Sequence, residues 1–312
     1  AGIPTVFLYN MVSGVIRSLG DSKTPVYFLV VSAVINIILD FVFILVFKMG
    51  VAGAAWATDI SQLISGVACY VYMNKKYDIL KFQKQEKKFK KVYVKNLCIN
   101  GIPMGLQFSI TAIGTIIVQS AVNIYGPVHM AGFSAAGKIQ NIFATVFTAF
   151  GATIATYVGQ NRGAGKMDRV KQGVRYTQMM VLGWSVFVMF LMFFFGKYLT
   201  YLFVDPSEQD VVNVSVTYFR TVFWAYPFLG SIFLYRNTLQ GMGYGLVPML
   251  GGVFELVART GIVVLIAGHT SFAGVCMADP TAWIAALIPL IPYYFHVMKK
   301  YKNKSQVQVI ED

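Results

Sequence analysis

"RSLGDSKTP" (17–25) and "QGMGYGLVP" (240–248) together decide how this chain is read. Each lies between two apolar runs. In both, glycine holds the fourth place and proline the ninth, so Gly20 answers Gly243 and Pro25 answers Pro248. Glycine supplies the left-handed backbone that a sharp turn needs, and proline is tolerated in the first turn of the next helix. The register reaches beyond the turns. Pro4 meets Pro227 at the same offset, and two residues less brings "GVAGAAWAT" (50–58) over "FAGVCMA" (272–278), matching Gly53 with Gly274 and Ala57 with Ala278. Both copies finish on methionine followed by lysines, "MNKK" (73–76) and "MKK" (298–300). The first three helices therefore recur as the last three.

Composition says what surrounds those helices. The chain is 56% hydrophobic and 12% charged, with a mean hydropathy of +0.61, whereas soluble domains carry about 25% charged residues. Nine apolar runs are long enough to span a bilayer: 2–19, 26–48, 51–73, 97–125, 129–157, 176–203, 212–240, 246–268 and 271–297. This predicts an all-α polytopic membrane protein. A net charge of +13 raises the prospect of nucleic acid, but the cations sit in short loops. They follow the positive-inside pattern instead.

One orientation satisfies every loop. Residues 74–95 hold nine lysines against Asp78 and Glu86, and 159–175 hold Arg162, Lys166, Arg169, Lys171 and Arg175 against Asp168. Both belong in the cytoplasm, while the uncharged "YGPVH" and the acidic "DPSEQD" (205–210) fall outside. The protein is thus expected in the cell's inner (plasma) membrane. Both copies then run outward to inward, which makes them parallel repeats about an axis along the membrane normal. Secondary transporters are commonly built this way, with sites near mid-membrane at the repeat interface. The helices between 97 and 203 have no partner copy. The expectation is a twelve-helix, two-lobe protein of which this chain is the last nine: 1–76 the second half of the N-terminal lobe, 77–96 a basic linker, 97–302 a complete C-terminal lobe, and 303–312 a cytoplasmic tail. The linker interleaves lysines with Tyr77, Leu80, Phe82, Phe89 and Tyr93, a pattern suited to an anionic lipid surface.

The chain resembles the multidrug and toxic compound extrusion (MATE) family. The matching stretches are "GIPTVFLYNMVSGVIRSLGDSKTP" (2–25), "NIILDFVFI" (36–44), "GVAGAAWATDISQ" (50–62), "GIPMGLQFSITAIGTIIVQ" (101–119), "GATIATYVGQNRGAG" (151–165) and "LQGMGYGLVPM" (239–249). The resemblance implies two six-helix lobes and export of amphipathic, often cationic drug-like compounds in exchange for Na⁺ or H⁺, with no other cofactor. It also implies a monomer among membrane lipids, with no nucleic-acid partner. Three departures leave the coupling ion open. Thr111 stands where one branch has a glutamate, "FLGSIFLY" stands where that branch has an aspartate, and the first-helix aspartate of another branch is absent from this chain.

Charges at mid-membrane cost about 2.5–3.5 kcal/mol each on insertion scales, so each needs a partner or a purpose. Glu255 and Arg259 lie four apart, either as a self-neutralising pair or with Glu255 as a protonatable carboxylate. Lys138, Asn141, Thr145 and Thr148 share one helix face. They either line a transport path or form a seam in which Lys138 is locked to a carboxylate such as Glu255. Gln107 with Thr111, and Gln119 with Asn123, are further cavity candidates. Asn36 and Asp40 are four apart and serve structure or ion coupling. Asp59 and Asp279 sit at nearly equivalent places and read as structural, while Arg17 and Arg236 are expected to snorkel to the interface. The depth of Arg220 leaves its partner open.

No catalytic constellation appears. "GQNRGAGK" (159–166) has five residues between glycine and Gly-Lys, and Met167 follows, so it is not a phosphate loop. Cys69, Cys98 and Cys276 have no framework spacing, and His129, His269 and His296 are scattered, so neither disulfide nor metal is expected. The chain reads as a transporter and not an enzyme. Two alternatives remain: a flippase for lipid-linked oligosaccharide or peptidoglycan precursor on the same plan, and a non-transporting fragment.

Overall fold

The computed structural model describes the backbone of residues 2–80, 91–266 and 271–311, with side chains as far as Tyr301. Among the described residues there is no strand. The helices are α1 (Ile3–Ser18), α2 (Lys23–Asp40), α3 (Gly50–Lys76), α4 (Lys91–Asn123), α5 (Pro127–Gly163), α6 (Met167–Thr200), α7 (Gln209–Val222), α8 (Tyr226–Gly241), α9 (Leu246–Ile266), α10 (Phe272–Cys276) and α11 (Ala278–Glu311). They follow the nine anticipated spans as a polytopic helical membrane protein does, with α7 and α8 forming one span and α10 and α11 another.

Among the described residues, six helical stretches are long and apolar enough to cross a membrane by themselves: Lys23–Val46, Lys91–Asn123, Pro127–Gly163, Met167–Thr200, Leu246–Ile266 and Phe272–Tyr301. The span at 212–240 is interrupted by a 3₁₀ turn, Phe223–Ala225. Pro227 explains the break: it lacks an N–H for the helical ladder, and its ring crowds the carbonyl four residues back. At the end of α2 the helix widens into a π-helical segment, Phe41–Val46, and the chain reverses through Lys48 and Gly50, both at positive φ. Several helices outrun their apolar runs. Thus α4 begins at Lys91 and α6 at Met167, because lysine and arginine propagate a helix well beyond the bilayer. The stretch of the basic linker expected on the lipid surface, 81–90, lies outside the described residues.

Contacts divide the chain into two compact units, Ala1–Lys90 and Lys91–Asp312. Within the first, α3 packs on both α1 and α2, which touch each other far less; within the second, α11 packs in the same way on α8 and α9. Gly20 and Gly243 both hold positive φ, 94° and 75°. The sequence repeat is therefore a repeat in packing. The core of the second unit is continuous and aromatic-rich, with Phe147, Tyr218, Phe219, Tyr226 and Trp283 buried. That of the first is small, centred on Val12, Ile16 and Cys69.

Candidate ion and substrate sites

In the second unit the mid-membrane charges form one buried network. Glu255 on α9 uses both carboxylate oxygens: Oε1 meets Arg259 Nη2 at 3.1 Å, and Oε2 accepts from Arg236 Nη2 on α8 at 3.2 Å. The same Arg259 Nη2 reaches Asp279 Oδ1 on α11 at 3.2 Å. The Tyr218 hydroxyl, from α7, donates to Asp279 Oδ2 at 2.8 Å and also contacts the Gln140 amide oxygen on α5. Two cations and two carboxylates cancel, which is the condition under which such groups are tolerated away from water. Arg259 also packs against α4, where a Cβ on Gly114 would sit 3.2 Å from Nη1.

Two expectations are corrected here. Arg236 does not snorkel, for its side chain is buried against Glu255. Lys138 is not locked to Glu255, because both oxygens of that carboxylate are already taken by guanidinium groups. The partners that sequence reasoning missed are Arg236 and Asp279, and the repeat register was the signal that could have found them. At the offsets of the repeat, Ser13, Ser32, Asn36 and Thr58 stand where Arg236, Glu255, Arg259 and Asp279 stand in the second copy. Asn36 Nδ2 approaches Thr58 Oγ1 at 3.5 Å, the neutral counterpart of the Arg259–Asp279 contact.

The first unit contains a different arrangement. Asp40 ends α2 at the start of the π-helical segment, and it lines a cavity of about 280 Å³ with Ile37, Phe41, Ile44 and Leu45. Its Oδ1 is buried without a hydrogen-bond partner among the described residues. Asn36, one turn earlier, contacts Thr58 rather than Asp40.

Other candidates separate into used and unused groups. Gln107 is buried and accepts from Gln240 Nε2 at 3.0 Å. Thr111 lies on the same face, its Oγ1 buried and without a partner among the described residues. Gln119 donates to Asn123 at 3.1 Å. Lys138, Asn141, Thr145 and Thr148 are all exposed along one face of α5. Lys138 Nζ lies 5.7 Å from the centre of the Phe203 ring, while the Thr145 and Thr148 hydroxyls donate to carbonyls one turn back.

The charged turn that opened the sequence reading is a clasp. Asp21 accepts from the Thr24 N–H (3.0 Å) and hydroxyl (2.8 Å), from Tyr77 (2.9 Å) and from Lys76 (3.1 Å). The Thr24 N–H foremost, then the Thr24 hydroxyl, Lys76 and Tyr77, hold its carboxyl well below the usual carboxylate range. In the other copy Tyr244 takes the place of Asp21. It packs edge-on against Tyr293 at 5.6 Å, and Arg162, from the last turn of α5, lies over the Tyr244 ring and donates to Tyr301 at 3.0 Å. The turn is conserved between copies, but its fastening is ionic in one and aromatic in the other.

A repeated three-helix unit, a neutral buried charge network and polar faces on helices within apolar spans are features common among polytopic membrane transporters. Residues 103–265 match the MatE family model, and the chain belongs to the MATE family, whose members are transporters and not enzymes. Residues 1–126 also match the model for lipid II flippase MurJ. The chain is 34% identical to the probable multidrug resistance protein YpnP of Bacillus subtilis over 78% of its own length and 54% of that protein's. It is 27% identical to probable multidrug resistance protein YoeA of the same organism, over 98% and 68%. It thus spans about half of one curated relative and two thirds of the other. Among solved structures, an outward-facing multidrug resistance MATE family transporter superposes with a TM-score of 0.86 at 19% identity, covering 94% of this chain and 66% of that one.

Proposed function

We propose that the protein is a secondary active exporter of amphipathic drug-like compounds, driven by the return of Na⁺ or H⁺. It would act as a monomer in the plasma membrane, with its basic loops in the cytoplasm. Its relatives named for multidrug resistance support the export reading. The observation that carries the coupling mechanism is Asp40, a carboxylate inside an apolar span whose buried oxygen has no described donor. Such a group gains most from taking up a cation or a proton, because an unpaired charge in this setting is expensive. Glu255 is the poorer candidate, since two guanidinium groups already satisfy it. Efflux of a fluorescent drug from cells expressing the full-length protein tests this. Asp40→Asn should abolish gradient-driven efflux at unchanged protein level, while unchanged efflux would remove Asp40 from the coupling step. A second reading, flipping of a lipid-linked precursor, is favoured by the match of residues 1–126 to the lipid II flippase model.

A further inference from the structure

Among the described residues, the two units differ in the sign of the charge they leave without an ion pair within their spans. In the first, the acids within the spans are Asp40 and Asp59, and the cations, Arg17 and Lys48, lie at span ends. In the second, the only carboxylates within the spans are Glu255 and Asp279, and both are consumed by Arg236 and Arg259. What remains exposed there is positive: Lys138 on α5, Arg220 on α7 and Lys197 one turn from the end of α6. None of these three has an ion pair among the described residues. An amphipathic cation reaching this unit would meet like charge and no free counter-ion.

Lys138 is the best placed of the three to bind. A lipid-facing helix does not tolerate the stripe it heads, so that face looks onto water or onto a ligand. Of the four stripe residues, Thr145 and Thr148 spend their hydroxyl protons on α5 itself. The free donors are therefore the Lys138 ammonium and the Asn141 amide, three residues apart on the same face. The Phe203 ring beside Lys138 adds an aromatic wall. A cation and an amide donor next to an apolar surface match a carboxylate or phosphate carried on a hydrophobic body, through charge-assisted hydrogen bonds.

We infer that the second unit receives the anionic group, carboxylate or phosphate, of an amphipathic substrate, held by Lys138 and Asn141. The inference rests on the exporter reading and narrows it: the coupling cation belongs to Asp40, and the substrate's charge is negative. The full-length protein in lipid nanodiscs, titrated with fluorescein and with rhodamine 6G, provides a pair of xanthene dyes of opposite charge. Fluorescein should bind more tightly. Lys138→Gln should weaken it about tenfold, Lys138→Arg should preserve it, and rhodamine 6G should be indifferent to both. Displacement of fluorescein by a short prenyl pyrophosphate would assign the anion to a lipid-linked substrate, and failure to displace it would assign it to a soluble one. Tight rhodamine 6G binding with fluorescein unaffected by Lys138→Gln would overturn the inference and leave the exporter reading standing. Binding of neither dye, with no efflux of either from cells, would overturn both.

Discussion

Glu255 shows how far a residue's meaning depends on what reaches it. Along the sequence it has one neighbour of opposite charge, Arg259, and could be a proton carrier. In the fold it has two, and the second comes from α8. Removing its charge leaves buried guanidinium groups uncompensated, and breaking a buried pair by deleting one partner costs about 3–5 kcal/mol. Glu255→Gln is therefore expected to lower thermal stability and protein yield, and Arg236→Gln combined with it should recover part of the loss by restoring neutrality. A double variant less stable than Glu255→Gln would contradict the network. Asp21 titrates in a different window. Its depressed folded-state pKa means that its contribution is fully present above the ordinary carboxylate value, about 4, and is lost only as pH falls through the lower folded value. The protection that the clasp gives residues 70–80 against hydrogen exchange should thus be the same from pH 5 to pH 8, with exchange faster in Asp21→Asn throughout. An acceleration in the wild type on going from pH 8 to 5, absent in the variant, would reverse that sign.

At the scale of elements, the sequence was most legible where a local rule suffices. Apolar run length gave the spans, and Gly20 and Gly243 gave the turns, because a span is set by the thickness of the bilayer and a turn by backbone sterics. The break before Pro227 was visible as a proline but not as a 3₁₀ turn, and the π-helical segment after Asp40 left no trace in hydropathy. Both depend on how a strained stretch relaxes against its neighbours. The stretch 159–166, which is the end of α5 and its connection to α6, was legible as a basic turn and not a phosphate loop. Its role emerges from Arg162, whose partners Tyr244 and Tyr301 lie on the α8–α9 turn and on α11. Arg162→Ala is expected to speed hydrogen exchange in 159–167 and 243–245 together, while Lys, which lacks the planar stacking surface, should rescue only partly. Faster exchange in one segment alone would mean that the two are not fastened to each other.

At the scale of the molecule, two units with separate cores should respond separately. Asp40→Asn is expected to impair coupling with little change in melting temperature, and Glu255→Gln to lower melting temperature with exchange quickened in α8, α9 and α11 but not in α1 or α3. Equal effects of both variants on stability and efflux would refute that separation. The sequence by itself determined that this is a helical membrane protein and that its last three helices repeat its first three, because run length and turn chemistry are written in contiguous residues. Only the tertiary structure decided which charges pair. The contacts from Glu255 to Arg236 and from Arg259 to Asp279 cross between helices, that from Asp21 to Lys76 joins a turn to a helix, and a charge in an apolar setting goes to whichever partner the packing brings within reach. That choice separates the buried, mutually neutralised charges from Asp40 and Lys138, to which the packing brings no counter-ion among the described residues.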